Sequence, residues 1–136
     1  MRDHEGALIK AMIAHLAADD GIKSRLGDPA RIWDQPPTGA VFPHLILGRS
    51  ESRPVAADGG GMEHVLTLTC ASTFGGAEEA RAVAAAVRAR LQEADLSADG
   101  VRTVSVRVTF TDVFRPGDFK RAFAVMRVRA VTEESG

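Results

Sequence analysis

The chain has 136 residues, with 17 basic and 18 acidic side chains, four histidines and one cysteine. This length suits a single domain whose core is large enough to fold without disulfides or metals. One cysteine cannot form an internal disulfide, which fits a reducing, cytoplasmic folding site. The formal net charge of −1 does not indicate a free nucleic-acid-binding protein. Without a run of about 18 apolar residues, the sequence predicts no membrane span.

The beginning of the chain has the sequence pattern of helices. Residues 4–18 place Leu8, Met12 and Leu16 at helical spacing, so that one apolar stripe runs along a first helix. Two aspartates and a glycine end this pattern. A short turn of helix is expected at residues 22–26.

The next part of the chain predicts short extended pieces and a loop. Residues 31–33 and 44–48 have the composition of short strands, and the prolines between them oppose helix. Residues 49–61 are polar and contain three consecutive glycines, which predicts a mobile loop. The candidate partner-docking residues in this loop are Arg49, Glu51, Arg53 and Asp58.

A long strand and a second helix follow. Residues 62–73 alternate, with Leu66, Leu68 and Cys70 on one side, which predicts a strand. Residues 77–94 predict a helix whose small apolar face allows close approach to a sheet. The residues expected on that face are Ala80, Val83, Ala84, Val87 and Leu91.

The last third predicts a β-hairpin. In its first strand one face is expected to carry Val104, Val106, Val108 and Phe110. In its second strand one face is expected to carry Ala122, Ala124, Met126 and Val128. The predicted fold is therefore α+β: a single domain over residues 1–136 with a mainly antiparallel sheet of four to five strands and two helices packed on one face.

The opposite face of the final strand is too apolar for plain solvent and too charged for a core. We therefore predict that it is a subunit interface. Its predicted members are Phe119, Arg121, Phe123, Val125, Arg127 and Arg129. Charge supports this, because residues 101–132 carry seven basic and two acidic groups whereas residues 1–100 carry ten basic and fourteen acidic groups. Such polarity suits a subunit that meets its own copy head to tail.

The sequence predicts no catalytic, metal or cofactor site. The histidines at positions 4, 15, 44 and 64 lack metal-ligand spacing. Cys70 lies within the alternating strand, where burial predicts an inert thiol. No serine lies in a nucleophile-elbow motif, and the glycines lack the lysine of a phosphate-binding loop.

The hairpin arginines leave a second interpretation open, in which the protein is a small DNA-binding or packaging accessory protein. Two features weigh against it: the aromatic residues among these arginines are phenylalanines, and the rest of the chain is net acidic.

Several sequence segments together resemble the tail-terminator, or tail-completion, family of long-tailed phages, prophages and gene-transfer agents. The resemblance covers roughly residues 7–132. The segments are Arg31-Ile32-Trp33-Asp34-Gln35, Phe42-Pro43-His44-Leu45-Ile46-Leu47-Gly48, residues 63–68, the helix with Glu79-Ala80, and residues 123–131.

The resemblance implies a structural virion protein without catalytic residues. It implies a hexameric ring that ends the tail tube, meets the head-side connector or stopper protein, and lets double-stranded DNA pass through its lumen without specific binding. The location implied is the bacterial host cytoplasm during assembly and then the head-tail junction of the particle. In such a ring, Arg127 and Arg129 are expected to pair with Glu63 or Glu79 of a neighbouring subunit.

Overall fold

The computed structural model describes residues 2–55, 60–73, 77–117 and 120–135. Asp58 and Phe119, both predicted as site residues, lie outside these ranges. The described helices are α1 (His4–Ala17), α2 (Asp20–Leu26) and α3 (Glu78–Leu91). The strands are β1 (Ile32–Trp33), β2 (His44–Pro54), β3 (Met62–Ser72), β4 (Ser97–Ala98), β5 (Val101–Phe114) and β6 (Ala122–Glu134).

The six strands form one sheet in the order β1-β2-β3-β6-β5-β4. Every neighbouring pair is antiparallel except β1 and β2, which are parallel. The α+β class is confirmed, but the expected sheet of four to five strands with two helices was wrong in its numbers. α2, with seven residues, corresponds to the helical turn expected at residues 22–26, and β1 to the short strand expected at residues 31–33. β4 was not predicted, because a strand of two residues carries little periodic signal.

Local sequence explains where the first two helices begin. The Asp3 carboxylate accepts a hydrogen bond from the Gly6 N–H at 2.8 Å, which caps α1. The Asp19 carboxylate accepts from the Ile22 N–H at 2.9 Å and caps α2. These bonds satisfy amide groups that lack a partner inside the helix.

The core lies between the helices and one face of the sheet. The alternating side chains predicted for β3 and β6 point into it, as do the small residues of α3, so these predictions are confirmed. The core members with no exposed surface include Met12, Leu16, Leu26, Leu45, Leu68, Cys70, Val83, Val87, Leu91, Ala124, Met126 and Val128.

The expected loop at residues 49–61 was wrong over its first part. Residues from Arg49 to Pro54 continue β2 and pair with β3. The register shifts between Leu47 and Ser50, which breaks the apolar alternation, and most side chains beyond this bulge are exposed. A strand with so little buried surface reads as a loop in the sequence. Residues 56–59 lie outside the described ranges.

The expected common face of Val104, Val106, Val108 and Phe110 was also wrong. Val106 and Val108 are buried, but Val104 is 60% exposed and Phe110 is 44% exposed. The β5–β6 register shifts between Thr103 and Ser105 and again between Val108 and Phe110. Each bulge inserts one residue and reverses the faces beyond it.

Candidate assembly surface

The sheet face away from the helices, here called the outer face, has an aromatic end and a charged end. At the aromatic end, strand register places His44, Ala71, Phe123 and Phe114 side by side across β2, β3, β6 and β5. The rings of Phe114 and Phe123 stack with centroids 5.7 Å apart. The second bulge in β5 brings Phe114 to this face, so an irregularity of the backbone builds the aromatic end.

The same aromatic row continues over β1 and the segment before β2. The His44 ring lies 4.8 Å from the Phe42 ring and 5.7 Å from the Trp33 ring, measured between centroids. His44 is itself 6% exposed, so these rings cover it. Trp33 and Phe42 are only half-buried, which leaves apolar surface in contact with solvent.

Two arginines lie over phenylalanine rings at this end. Arg121 Cζ is 5.1 Å from the Phe42 centroid, and Arg127 Cζ is 4.9 Å from the Phe110 centroid. Both distances are in the range of cation–π contacts. Stacked guanidiniums keep free N–H donors at their edges, so they can still bind a partner.

The charged end is organised around Glu63. Its carboxylate accepts hydrogen bonds from Arg129 and, at 2.8 Å, from Arg53. The Arg129 guanidinium, followed by that of Arg53, holds the pKa of Glu63 below its ordinary value. Nearby, Arg49 pairs with Glu51 at 3.1 Å.

The structure brings most of the predicted interface residues to one face. Val125 and Phe123 lie partly buried there, and Arg127 and Arg129 are exposed. Glu79 does not join them, because it accepts a hydrogen bond from Ser72, whose strand position faces the helices. Glu63 pairs with Arg129 within the same chain, and the expected pairing of Arg129 with a neighbouring subunit stays a prediction.

Sequence reasoning missed Phe110, Phe114, Phe42 and Trp33 as members of this face. The phenylalanines of β5 arrive there only through a bulge, and Phe42 only through its loop. Their signal in the sequence is limited to a high local content of aromatic and β-branched residues.

A polar network, buried at His4, His64 and Thr132, joins α1 to the sheet on the helix side. The Glu5 carboxylate accepts from the hydroxyls of Ser50 and Ser52. Because the Ser52 hydrogen is used in this way, the His64 Nδ1–H donates to the Ser52 oxygen at 2.6 Å. His64 Nε2 therefore accepts from the Thr132 hydroxyl at 2.8 Å.

The network continues from Thr132 to His4. The Thr132 oxygen accepts from the His4 Nδ1–H at 2.8 Å. Thr132 is 1% exposed and His64 is fully buried. Burial lowers the pKa of His64, in agreement with the neutral ring that this donor order requires.

Ser52, His64 and Glu5 are residue types of a hydrolase triad, but their geometry differs from one. In a triad the carboxylate orients the histidine, whereas here Glu5 binds the serines. Both nitrogens of the buried His64 ring are already hydrogen-bonded. The arrangement is suited to holding α1 on the sheet.

Cys70 has the environment of an unreactive thiol. It is fully buried, and burial raises its pKa to about 12. In the described part of the chain, no three His, Cys, Asp or Glu side chains are grouped to hold a metal ion. Within the same ranges, no helix is long and apolar enough to cross a membrane.

The family model for the tail completion protein gp17 matches residues 10–133. The match defines the class as a structural protein of phage-type tails. The chain belongs to the tail completion protein gp17 family. No curated protein matches the sequence.

Two solved structures share the fold. A chain from the virion of a native gene transfer agent particle superposes with a TM-score of 0.86 at 24% identity, covering 98% of this chain and 99% of that one. A second structure has a TM-score of 0.52 at 21% identity, with 98% and 96% covered. At these identities the likeness concerns the fold.

Proposed function

We propose that this protein is a tail terminator, whose copies form a ring, hexameric as the resemblance implies, at the head-facing end of a tail tube. The ring ends tube growth and presents a surface to the head-side connector, and DNA passes through the lumen without sequence-specific contacts. The protein acts by assembly and not by catalysis. Family membership and the fold shared with a gene transfer agent virion chain support this proposal.

The observation that carries the proposal is the exposed aromatic end of the outer face. Phe110 and Phe114 are 44% and 42% exposed, and Phe123 and Val125 are only half-buried beside them. An isolated domain gains nothing by leaving such a contiguous apolar surface in water. Contact with a neighbouring subunit would bury it.

The test compares apolar-to-acidic substitutions at the aromatic end, on β5 and β6, with one at a distant position of β5. Phe114→Asp and Phe123→Asp are expected to leave folded monomers, because a carboxylate buried in the subunit contact lacks a partner. Val104→Asp is the matched control, since Val104 is 60% exposed but lies at the first bulge, away from the aromatic end. Mass photometry and electron microscopy with the tube protein report ring formation.

Rings of normal size from both phenylalanine variants would refute this interface. The alternative function, a DNA-binding or packaging accessory protein, is tested with Arg121→Gln and Arg127→Gln. These exposed residues lie over phenylalanine rings, and we expect duplex affinity to be weak and almost unchanged. A marked loss of affinity, with a reduced salt dependence, would favour the alternative instead.

A further inference from the structure

Strand β5 has an open edge over its second half. Strand β4 and residues 92–96 cover the first half, as far as Val108, whose N–H donates to Gln92 Oε1 at 2.6 Å. From Thr109 to Phe114, the described residues form no hydrogen bond across this edge. Alternate backbone N–H and C=O groups of these six residues therefore face solvent.

This edge has only two of the features that normally prevent strand pairing, the charge of Asp112 and the bulge between Val108 and Phe110. Its sequence, Thr-Phe-Thr-Asp-Val-Phe, is β-branched or aromatic at every position except Asp112. It has no proline and no lysine, and five of its six residues are exposed. An exposed edge of this kind is a template for another strand.

A second open edge lies on the opposite side of the sheet. Strand β1 pairs only with Leu45 and Ile46 of β2. From Leu47 to Pro54, no hydrogen bond among the described residues crosses the outer edge of β2. Because β2 and β6 are both antiparallel to β3, and β5 is antiparallel to β6, strands β2 and β5 run in opposite directions.

We propose that the edge of β5 at residues 109–114 pairs with the edge of β2 at residues 47–52 in a second copy. The pairing rests on the ring proposed above and names how the ring closes. When a second copy is related to the first by rotation about an axis parallel to the strands, β2 of the second copy lies antiparallel to β5 of the first. Each subunit then extends the sheet of the next. Pairing of β5 with β5 would instead stop at a dimer and leave β2 open.

Charge selects the register of this pairing. Asp112 lies on the outer face between Phe110 and Phe114, and β2 presents Arg49 and Glu51 at alternate positions on its open part. Asp112 opposite Glu51 places like charges together, whereas Asp112 opposite Arg49 forms an ion pair. The favoured register therefore opposes Asp112 to Arg49 and Phe110 to Glu51.

Disulfide trapping tests this register in the protein assembled with its tail tube. Phe110→Cys combined with Glu51→Cys places two cysteines opposite each other, about 4.5 Å apart between Cβ atoms, which is within disulfide reach. The matched control combines Phe110→Cys with Arg53→Cys, one diagonal step away. After oxidation with copper phenanthroline, we expect about tenfold more linked dimer from the first pair, because the diagonal distance of about 7 Å exceeds disulfide reach. Cys70 is buried and does not interfere.

Charge reversal gives an independent measurement. Asp112→Arg or Arg49→Asp alone is expected to reduce ring yield, and the double reversal is expected to restore it. Rings that form normally with no linked dimer from the opposed pair would overturn the edge pairing and leave the proposed function intact. Equal linkage of both pairs would overturn the register. Absence of rings on tubes that carry the unaltered protein would refute the proposed function itself.

Discussion

Removal of one hydroxyl from the buried part of the polar network should measurably destabilise the fold. Thr132→Val keeps the shape of the side chain but removes the hydrogen bonds to His4 Nδ1 and His64 Nε2, both 2.8 Å long. A buried polar group left without a partner costs about 1–3 kcal/mol. His64 has no access to water, whereas His4 keeps 7% exposure and can recover part of its loss. We therefore expect a total cost of about 3 kcal/mol.

The corresponding fall in melting temperature is about 10 °C, because a chain of this size unfolds with an entropy of about 0.3 kcal/mol/K. Urea unfolding followed by circular dichroism gives the free energy, and calorimetry gives the melting temperature. Thr132→Ser keeps the hydroxyl and should retain most of the stability. Thr69→Val, on the outer face of β3, is the matched control. A Thr132→Val melting temperature within about 2 °C of that control would refute the role assigned to the network.

Three further outcomes follow from the same structure. Because burial lowers the pKa of His64 below its ordinary 6.5, the unfolded chain takes up a proton there first, so the free energy of unfolding should fall as pH drops below 6.5. The Ser52 and Ser50 hydroxyls lower the pKa of Glu5 below 4.5, so the free energy of unfolding should fall further below pH 4.5. Urea unfolding at a series of pH values should show both losses, and His64→Gln should remove the one that begins near pH 6.5. Cys70, with a pKa raised to about 12, should react with a thiol reagent only after unfolding, and rapid labelling of the folded protein would contradict its burial. Asp19→Ala should cost about 1 kcal/mol because it uncaps α2, and Asp20→Ala, next in the chain, should cost less in the same urea assay.

The pattern of residues alone was sufficient to predict the helices and strands that have one apolar and one polar face. The spacing of Leu8, Met12 and Leu16 predicted α1, and the alternation in β3 and β6 predicted which side chains enter the core. These predictions held because side-chain direction follows backbone periodicity directly. The same alternation separated the outer face of β6 from the core face.

Tertiary structure decided the features that depend on irregular backbone or on distant partners. β2 continues past Arg49 through a bulge, although the sequence there is polar. The second bulge in β5 turns Phe110 and Phe114 to the outer face. Neither bulge leaves a periodic signal, since one inserted residue reverses the faces beyond it. The pairing of Glu63 with Arg129, and the contact of Thr132 with His4, join residues 66 and 128 positions apart. Such contacts form only when the sheet register and the packing of α1 bring the two groups together.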